Sequence, residues 1–145
     1  IWQKIQQTVP GTPFNFDFWE KCTPRRSTYQ ACRAVIAARN QDPANEEAMI
    51  LAIQHAYYLE ARNPSDLNTL IELSDQIGLD SERFIADIKS SAVNQVLMQE
   101  IEFMQRLGVK GFPTLLLEKE GKFTNITNDY KDAYSMLNQI EQLIQ

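Results

Sequence analysis

Apolar residues recur every three to four positions along most of the chain, which is the spacing of one face of an α-helix. The segments with this spacing are Ser27–Asn40, Glu46–Arg62, Leu67–Ile77, Asp80–Ile88, Ser91–Leu107 and Asp132–Gln145. The inward face expected for the last helix consists of Ala133, Met136, Leu137, Ile140 and Ile144. The pattern therefore predicts a mostly helical protein.

Three short segments have instead the composition of β-strands. Phe14–Phe16 alternates aromatic and polar side chains, whereas Thr114–Glu118 is a mostly apolar run. Phe123–Asn125 follows the tight turn Glu120–Lys122, so we expect the last two strands to form a hairpin.

The stretch Val109–Thr114, which reads VKGFPT, lies between the end of a helix and an apolar strand. Gly108 supplies the left-handed stop of that helix. Pro113 is tolerated at the start of a strand because the first residue need not donate to the ladder. From the Phe-Pro dipeptide alone, an ordinary trans proline is the commoner form.

The succession of helix, proline turn, apolar strand, glycine turn, second strand and closing helix resembles the second half of a thioredoxin-like domain of the DsbA-like family. Upstream, Ser27–Ala34 (STYQACRA) and Leu79–Phe84 (LDSERF) resemble the all-helical insertion of its FrnE-like branch of protein disulfide isomerases. The resemblance implies an α/β, thioredoxin-like fold with a large all-helical insertion. Residues 1–26 would hold the end of a helix and one strand, 27–107 the insertion, and 108–145 the proline turn, hairpin and closing helix.

The resemblance also implies a function, that of a thiol–disulfide oxidoreductase or isomerase acting on protein or peptide substrates without a cofactor. In that family the residue before a cis proline offers its backbone N–H and C=O to an extended substrate. Carried over to this chain, the Phe112–Pro113 bond is expected to be cis. Gly111, Phe112 and Pro113 are then the candidate substrate-binding residues.

The catalytic Cys-x-x-Cys of the family is absent from the sequence, whose two cysteines, Cys22 and Cys32, lie ten positions apart. The chain begins at Ile1 inside an apparent amphipathic helix. Without a first strand, Thr114–Glu118 would also keep an unpaired apolar edge, which natural proteins avoid. We therefore expect the carboxy-terminal portion of a longer enzyme, with the catalytic pair upstream and this portion alone inactive.

Other readings of the cysteines and arginines stay open. Cys22 and Cys32 are candidate redox residues, but Cys32 lies next to the small-residue stripe of its predicted helix, where a cysteine is more often structural. Their spacing neither demands nor forbids a disulfide. Two thiols and the single histidine, His55, are too few for a metal site. Arg25-Arg26 is either a contact for an anionic ligand or simply solvated.

Composition excludes some classes of function. The net charge is −5 and no basic run interleaves with aromatic residues, which argues against nucleic-acid binding. No apolar run reaches the roughly 20 residues needed to span a bilayer, so no membrane partner is expected. The unpaired sheet edge could support oligomerisation, and a cytoplasmic location is favoured over a periplasmic one.

Two alternatives to the oxidoreductase remain. One is a glutathione-dependent relative, either a kappa-class glutathione transferase or a 2-hydroxychromene-2-carboxylate isomerase, in which a serine replaces the first catalytic cysteine and glutathione is the cofactor. The other is a helical binding module without catalysis.

Overall fold

The computed structural model describes residues 1–25 and 27–145. Its helices are α1 (Trp2–Thr8), α2 (Phe18–Lys21), α3 (Tyr29–Gln41), α4 (Asn45–Tyr58), α5 (Leu67–Gln76), α6 (Ser81–Lys89), α7 (Ser91–Arg106) and α8 (Ala133–Ile144). Its strands are β1 (Leu115–Lys119) and β2 (Lys122–Ile126). In the part of the chain so described, no helix is long and apolar enough to cross a membrane.

The chain divides into two compact units, a helical unit of Pro13–Glu100 and a hairpin unit of Ile1–Thr12 with Ile101–Gln145. The three-part division at residues 26 and 107 that the sequence suggests stays a prediction.

The helical unit is built around an alanine face of α3. Ala34, Ala37 and Ala38 are completely buried, and α3 contacts α4, α5 and α6. Small side chains allow helix backbones to come close, so larger side chains of the neighbouring helices fill the core. These are Met49, Leu70, Leu73, Phe84 and Ile88. Burying one such large side chain stabilises the fold by about 1.5–3 kcal/mol.

Hydrogen bonds join the end of α3 to the start of α6. The Gln41 side chain accepts from the amide of Asp80 and donates to its carbonyl, both at 2.9 Å. Asp80 also caps α6, because its carboxylate accepts from the Arg83 amide at 3.0 Å.

The strand predicted at Phe14–Phe16 is wrong, because this segment has no regular structure. Its Asn15 backbone amide donates to the Tyr58 carbonyl, at the end of α4, at 2.7 Å. The Phe14 ring meets the Tyr58 ring edge-on, with centroids 5.6 Å apart. The aromatic alternation that suggested a strand thus serves packing on a helix end.

Hydrogen bonds from the loop between α4 and α5 hold the segment that contains α2 in place. The side-chain Nδ2 of Asn63 donates to the Thr23 carbonyl at 3.0 Å, and its Oδ1 accepts from the Ser65 backbone amide at 3.0 Å. The Cys22 thiol donates to the Ala61 carbonyl at 3.2 Å. Asn63 is only 7% exposed, so these hydrogen bonds satisfy a buried polar side chain.

In the hairpin unit, β1 and β2 pair antiparallel, with Leu115 opposite Ile126 and Lys119 opposite Lys122. Glu120 and Gly121 form the turn, both with positive φ, as a tight hairpin turn requires. The hairpin is therefore confirmed to within a residue or two at its ends. Among the described residues, β1 pairs with β2 alone, so its other edge is open.

The inward face predicted for α8 is wrong in its extent. No residue of α8 is buried, and Leu137 and Ile144 are 49% and 54% exposed. Within this unit α8 contacts β2. The two strands are too narrow to cover the apolar face of α8. The amphipathic pattern that the sequence predicts is nevertheless present in this helix.

We expect Asn63→Ala to lower the free energy of unfolding of the chain by about 1–3 kcal/mol, since it leaves the Thr23 carbonyl and the Ser65 amide without their partner. Thermal unfolding followed by circular dichroism measures this loss. Asn68→Ala, at an exposed position of α5, is the matched control and should be close to neutral. Equal stability of the two variants would contradict this role of Asn63.

Candidate functional site

The candidate site is the loop that joins α7 to β1. Gly108 ends α7 with a φ of +75°, and its amide donates to the Gln105 carbonyl at 2.9 Å. The Val109 amide donates back to the Met104 carbonyl at 3.3 Å. The chain then bends through Gly111 to Pro113, and the Phe112–Pro113 peptide bond is cis.

Two side chains anchor this loop through its carbonyl groups. The Thr114 hydroxyl donates to the Gly111 carbonyl at 2.6 Å, and the Asn128 amide donates to the Pro113 carbonyl at 2.9 Å. Sequence reasoning missed Asn128. The polar run Thr127-Asn128-Asp129 after the second strand marks a turn, but it does not show which carbonyl that turn reaches.

An open cleft of about 500 Å³, here called the proline groove, lies along the loop. Besides the loop, it is lined by Leu116, Asn125 and Tyr130. Phe112 is 82% exposed, and within the described part of the chain its amide N–H and carbonyl have no hydrogen-bond partner. The groove thus presents one free donor and one free acceptor of the backbone, which suits an extended peptide.

The described lining of the proline groove lacks the residue types that most often act as nucleophile or general base in proteins. None of the described residues that line it is Cys, His, Asp or Glu. Gly111, Phe112 and Pro113 are therefore brought together at one surface, as the sequence analysis expects, while their role in substrate binding stays a prediction.

The two cysteines belong to the helical unit, and both are free thiols. Burial raises the pKa of the Cys22 thiol, and the nearby Asp66 carboxylate raises it further. The hydrogen bond from this thiol to the Ala61 carbonyl also favours its neutral form. Cys22 therefore lacks the lowered pKa of a redox nucleophile. Cys32 is half-buried on α3. Of the arginine pair that the sequence analysis considers as an anion contact, Arg26 lies outside the described residues.

Comparison with known proteins gives matches along nearly the whole chain. Residues 2–138 match a family model described as Thioredoxin. The crystal structure of a candidate protein disulfide isomerase from Nitrosomonas europaea is similar with a TM-score of 0.82 and 25% identity, covering 99% of this chain and 70% of that one. The cytosolic disulfide reductase DsbM from Pseudomonas aeruginosa gives a TM-score of 0.75 at 26% identity, covering 99% of this chain and 74% of that one.

A curated relative is the ClpXP adapter protein SpxH of Halalkalibacterium halodurans, which is 26% identical over 116 residues. The match covers 80% of this chain, and the chain spans 37% of the length of that relative. Together the comparisons confirm the thioredoxin-like, mostly helical fold that the sequence analysis expects.

We expect Gly111→Ala to change the free energy of unfolding by less than about 0.5 kcal/mol, because a Cβ at this position meets no atom within 4 Å and φ is not positive. Gly121→Ala is the matched comparison. It should lower the free energy of unfolding by about 1–2 kcal/mol, since φ is +77° there. Chemical denaturation of both variants measures the difference. A marked loss of stability in Gly111→Ala would contradict the open space beside Gly111.

In a Cys32→Ser variant, we expect iodoacetamide to alkylate Cys22 slowly at neutral pH and faster as pH rises past the ordinary thiol pKa of about 8.5, because only the thiolate reacts. Asp66→Asn should speed alkylation at a fixed pH, since removing that negative charge lowers the pKa of Cys22. Asp87→Asn on α6 removes the same charge elsewhere and should have little effect. Rapid alkylation at pH 6 would contradict this assignment.

Proposed function

Because the chain belongs to the thioredoxin family, we propose that it supplies the substrate-binding surface of a thiol–disulfide oxidoreductase, with an extended polypeptide bound in the proline groove. The observation that carries this proposal is the exposed, unpaired backbone of Phe112 beside the groove. The names of the two structural neighbours, a candidate protein disulfide isomerase and a disulfide reductase, support the same chemistry.

The bound peptide would lie alongside the loop as an added strand. Its N–H would donate to the Phe112 carbonyl, and its C=O would accept from the Phe112 amide. Pro113 has no amide N–H, so the next position offers no competing donor. Each such hydrogen bond contributes only about 0.5–1.5 kcal/mol. Binding of this kind is weak and tolerant of sequence, which suits an enzyme that acts on many polypeptides.

The reaction itself is thiol–disulfide exchange. A thiolate attacks one sulfur of a disulfide and forms a new S–S bond, while the other sulfur leaves as a thiolate. The attacking thiol needs a lowered pKa, and the raised pKa of Cys22 makes it unsuitable. The proposal therefore assigns the attacking thiolate to a Cys-x-x-Cys pair that is not among residues 1–145. The groove would hold the substrate polypeptide for that pair.

The glutathione-dependent alternative would use the same fold with a small thiol as co-substrate. A polypeptide ligand is favoured by the shape of the groove, which is open along the loop and presents backbone groups. Measurement of insulin reduction and of glutathione conjugation by the same preparation separates the two functions.

The test uses the full-length protein that contains this chain, in an insulin-reduction assay with dithiothreitol. Gly111→Ala should raise KM for insulin severalfold with kcat nearly unchanged, because the added methyl obstructs binding without touching the reacting sulfurs. Asn138→Ala, an exposed substitution on α8 of the same unit, is the control and should leave both constants unchanged.

Residues 1–145 alone should leave insulin reduction at its uncatalysed rate. If this chain accelerates insulin reduction and Cys22→Ser or Cys32→Ser abolishes the acceleration, the proposal that the chain binds substrate without supplying the reactive thiol is contradicted. An unchanged KM in Gly111→Ala would contradict the peptide groove itself.

A further inference from the structure

The helical unit contains a second cavity that the proposed function does not use. It has a volume of about 250 Å³ and is here called the aromatic cavity. Its apolar walls are formed by Phe18, Ala31, Ile53, Tyr57 and Tyr58. Pockets for drug-sized ligands measure about 300–1,000 Å³. The aromatic cavity is therefore the right size for a small organic molecule or a single side chain.

Ring contacts hold the walls of the aromatic cavity in place. The Phe18 and Tyr57 rings meet edge-on with centroids 4.7 Å apart, and Tyr57 contacts Tyr58 at the same centroid distance. Phe18 is completely buried at the base of this cluster. Burial also raises the pKa of Tyr57, as expected for a hydroxyl in apolar surroundings. The cavity is thus preformed, which lowers the entropic cost of binding.

Arg25 borders the aromatic cavity. Its Nη1 donates to the Ser65 carbonyl at 3.4 Å, and its Nη2 lies 3.2 Å from the Asp66 carboxylate. The side chain is 63% exposed, and an exposed pair of this kind is weak and readily exchanged. A guanidinium has five N–H donors, so Arg25 retains donors for a ligand.

A neighbouring cavity of about 290 Å³ shares Arg25, Ser27 and Ser65 with the aromatic cavity and adds Arg33. Arg33 donates to Asn94 and Gln30, which are both neutral, and its Nε has no acceptor among the described residues. Among the described residues that line the two cavities, Arg25 and Arg33 thus contribute guanidinium groups and none contributes a carboxylate. Such a rim suits an anion that replaces the exposed Asp66 carboxylate as the partner of Arg25.

We propose that the aromatic cavity binds an organic carboxylate with an aromatic or branched apolar body. The body lies between the Phe18, Ile53 and Tyr57 side chains, and the carboxylate lies against Arg25 at the rim. A planar guanidinium pairs with a carboxylate through two parallel hydrogen bonds, which matches one positive group at the mouth of an apolar cavity. The cavity and its charge belong to the helical unit, so the inference does not depend on the proline groove.

This ligand chemistry has two sources, a free small acid and the carboxy-terminal residue of a polypeptide. Isothermal titration calorimetry of the 145-residue chain distinguishes them. The small-molecule probes are 3-phenylpropionate and its neutral analogue 3-phenylpropanamide. The peptide probes are a hexapeptide that ends in phenylalanine with a free carboxylate and the same peptide with an amidated end.

We expect 3-phenylpropionate to bind about tenfold more tightly than the amide, because the carboxylate adds charge-assisted hydrogen bonds. If the free-carboxylate peptide binds as tightly as the small acid, the source is a polypeptide end. If only the small acid binds, the source is a free metabolite. Equal affinity for acid and amide, or no binding of any probe, overturns the proposal.

Two variants and a control complete the test. Arg25→Gln should reduce the affinity for 3-phenylpropionate about tenfold, to that of the amide, and leave amide binding unchanged. Ala31→Leu fills the cavity and should abolish binding of both probes. Arg106→Gln on α7 makes the same change of net charge elsewhere and should bind normally. A loss in Arg106→Gln as large as that in Arg25→Gln would attribute binding to overall charge and overturn the site.

Discussion

The close approach of α3 to its neighbouring helices is the constraint on which the helical unit depends. Ala34, Ala37 and Ala38 present only methyl groups to α4, α5 and α6, so these helices can pack around one axis. The packing fixes both ends of α3. At one end Ala31 forms a wall of the aromatic cavity, and toward the other Arg39 bridges Glu46 and Glu100 at 3.3 Å and 2.7 Å.

The two proposed sites would recognise ligands by different physical means. The proline groove presents the polar backbone of Phe112, because Thr114 and Asn128 occupy the neighbouring carbonyl groups. The aromatic cavity instead offers apolar walls and one positive charge. Backbone recognition is tolerant of side-chain sequence, whereas a preformed apolar cavity selects by size and shape. One chain can therefore combine a general surface with a selective one.

Much of the fold could be predicted from local sequence signals. Gly108 and Gly121 mark the helix end and the hairpin turn, and both have the positive φ that those positions require. The strand predicted at Phe14–Phe16 is wrong because alternating aromatic residues occur both in strands and in segments that pack on a helix end. The α8 pattern shows which side is apolar but not what covers it. Asn128 and the aromatic cavity depend on contacts between residues far apart in the sequence, which no local pattern encodes.

The segment that contains α2 has no sheet ladder and is held by Asn15, Cys22 and Asn63, which hydrogen-bond across to carbonyls of the facing segment. Its order is therefore coupled to that of the α4–α5 loop, and the two should open together as one local unfolding unit. Pro24 and Arg25 come from one side of this unit and Pro64 and Ser65 from the other, and all four line the aromatic cavity. Opening of this unit would therefore separate two walls of the aromatic cavity at once, so a ligand bound there should hold the unit closed and make its local unfolding rarer.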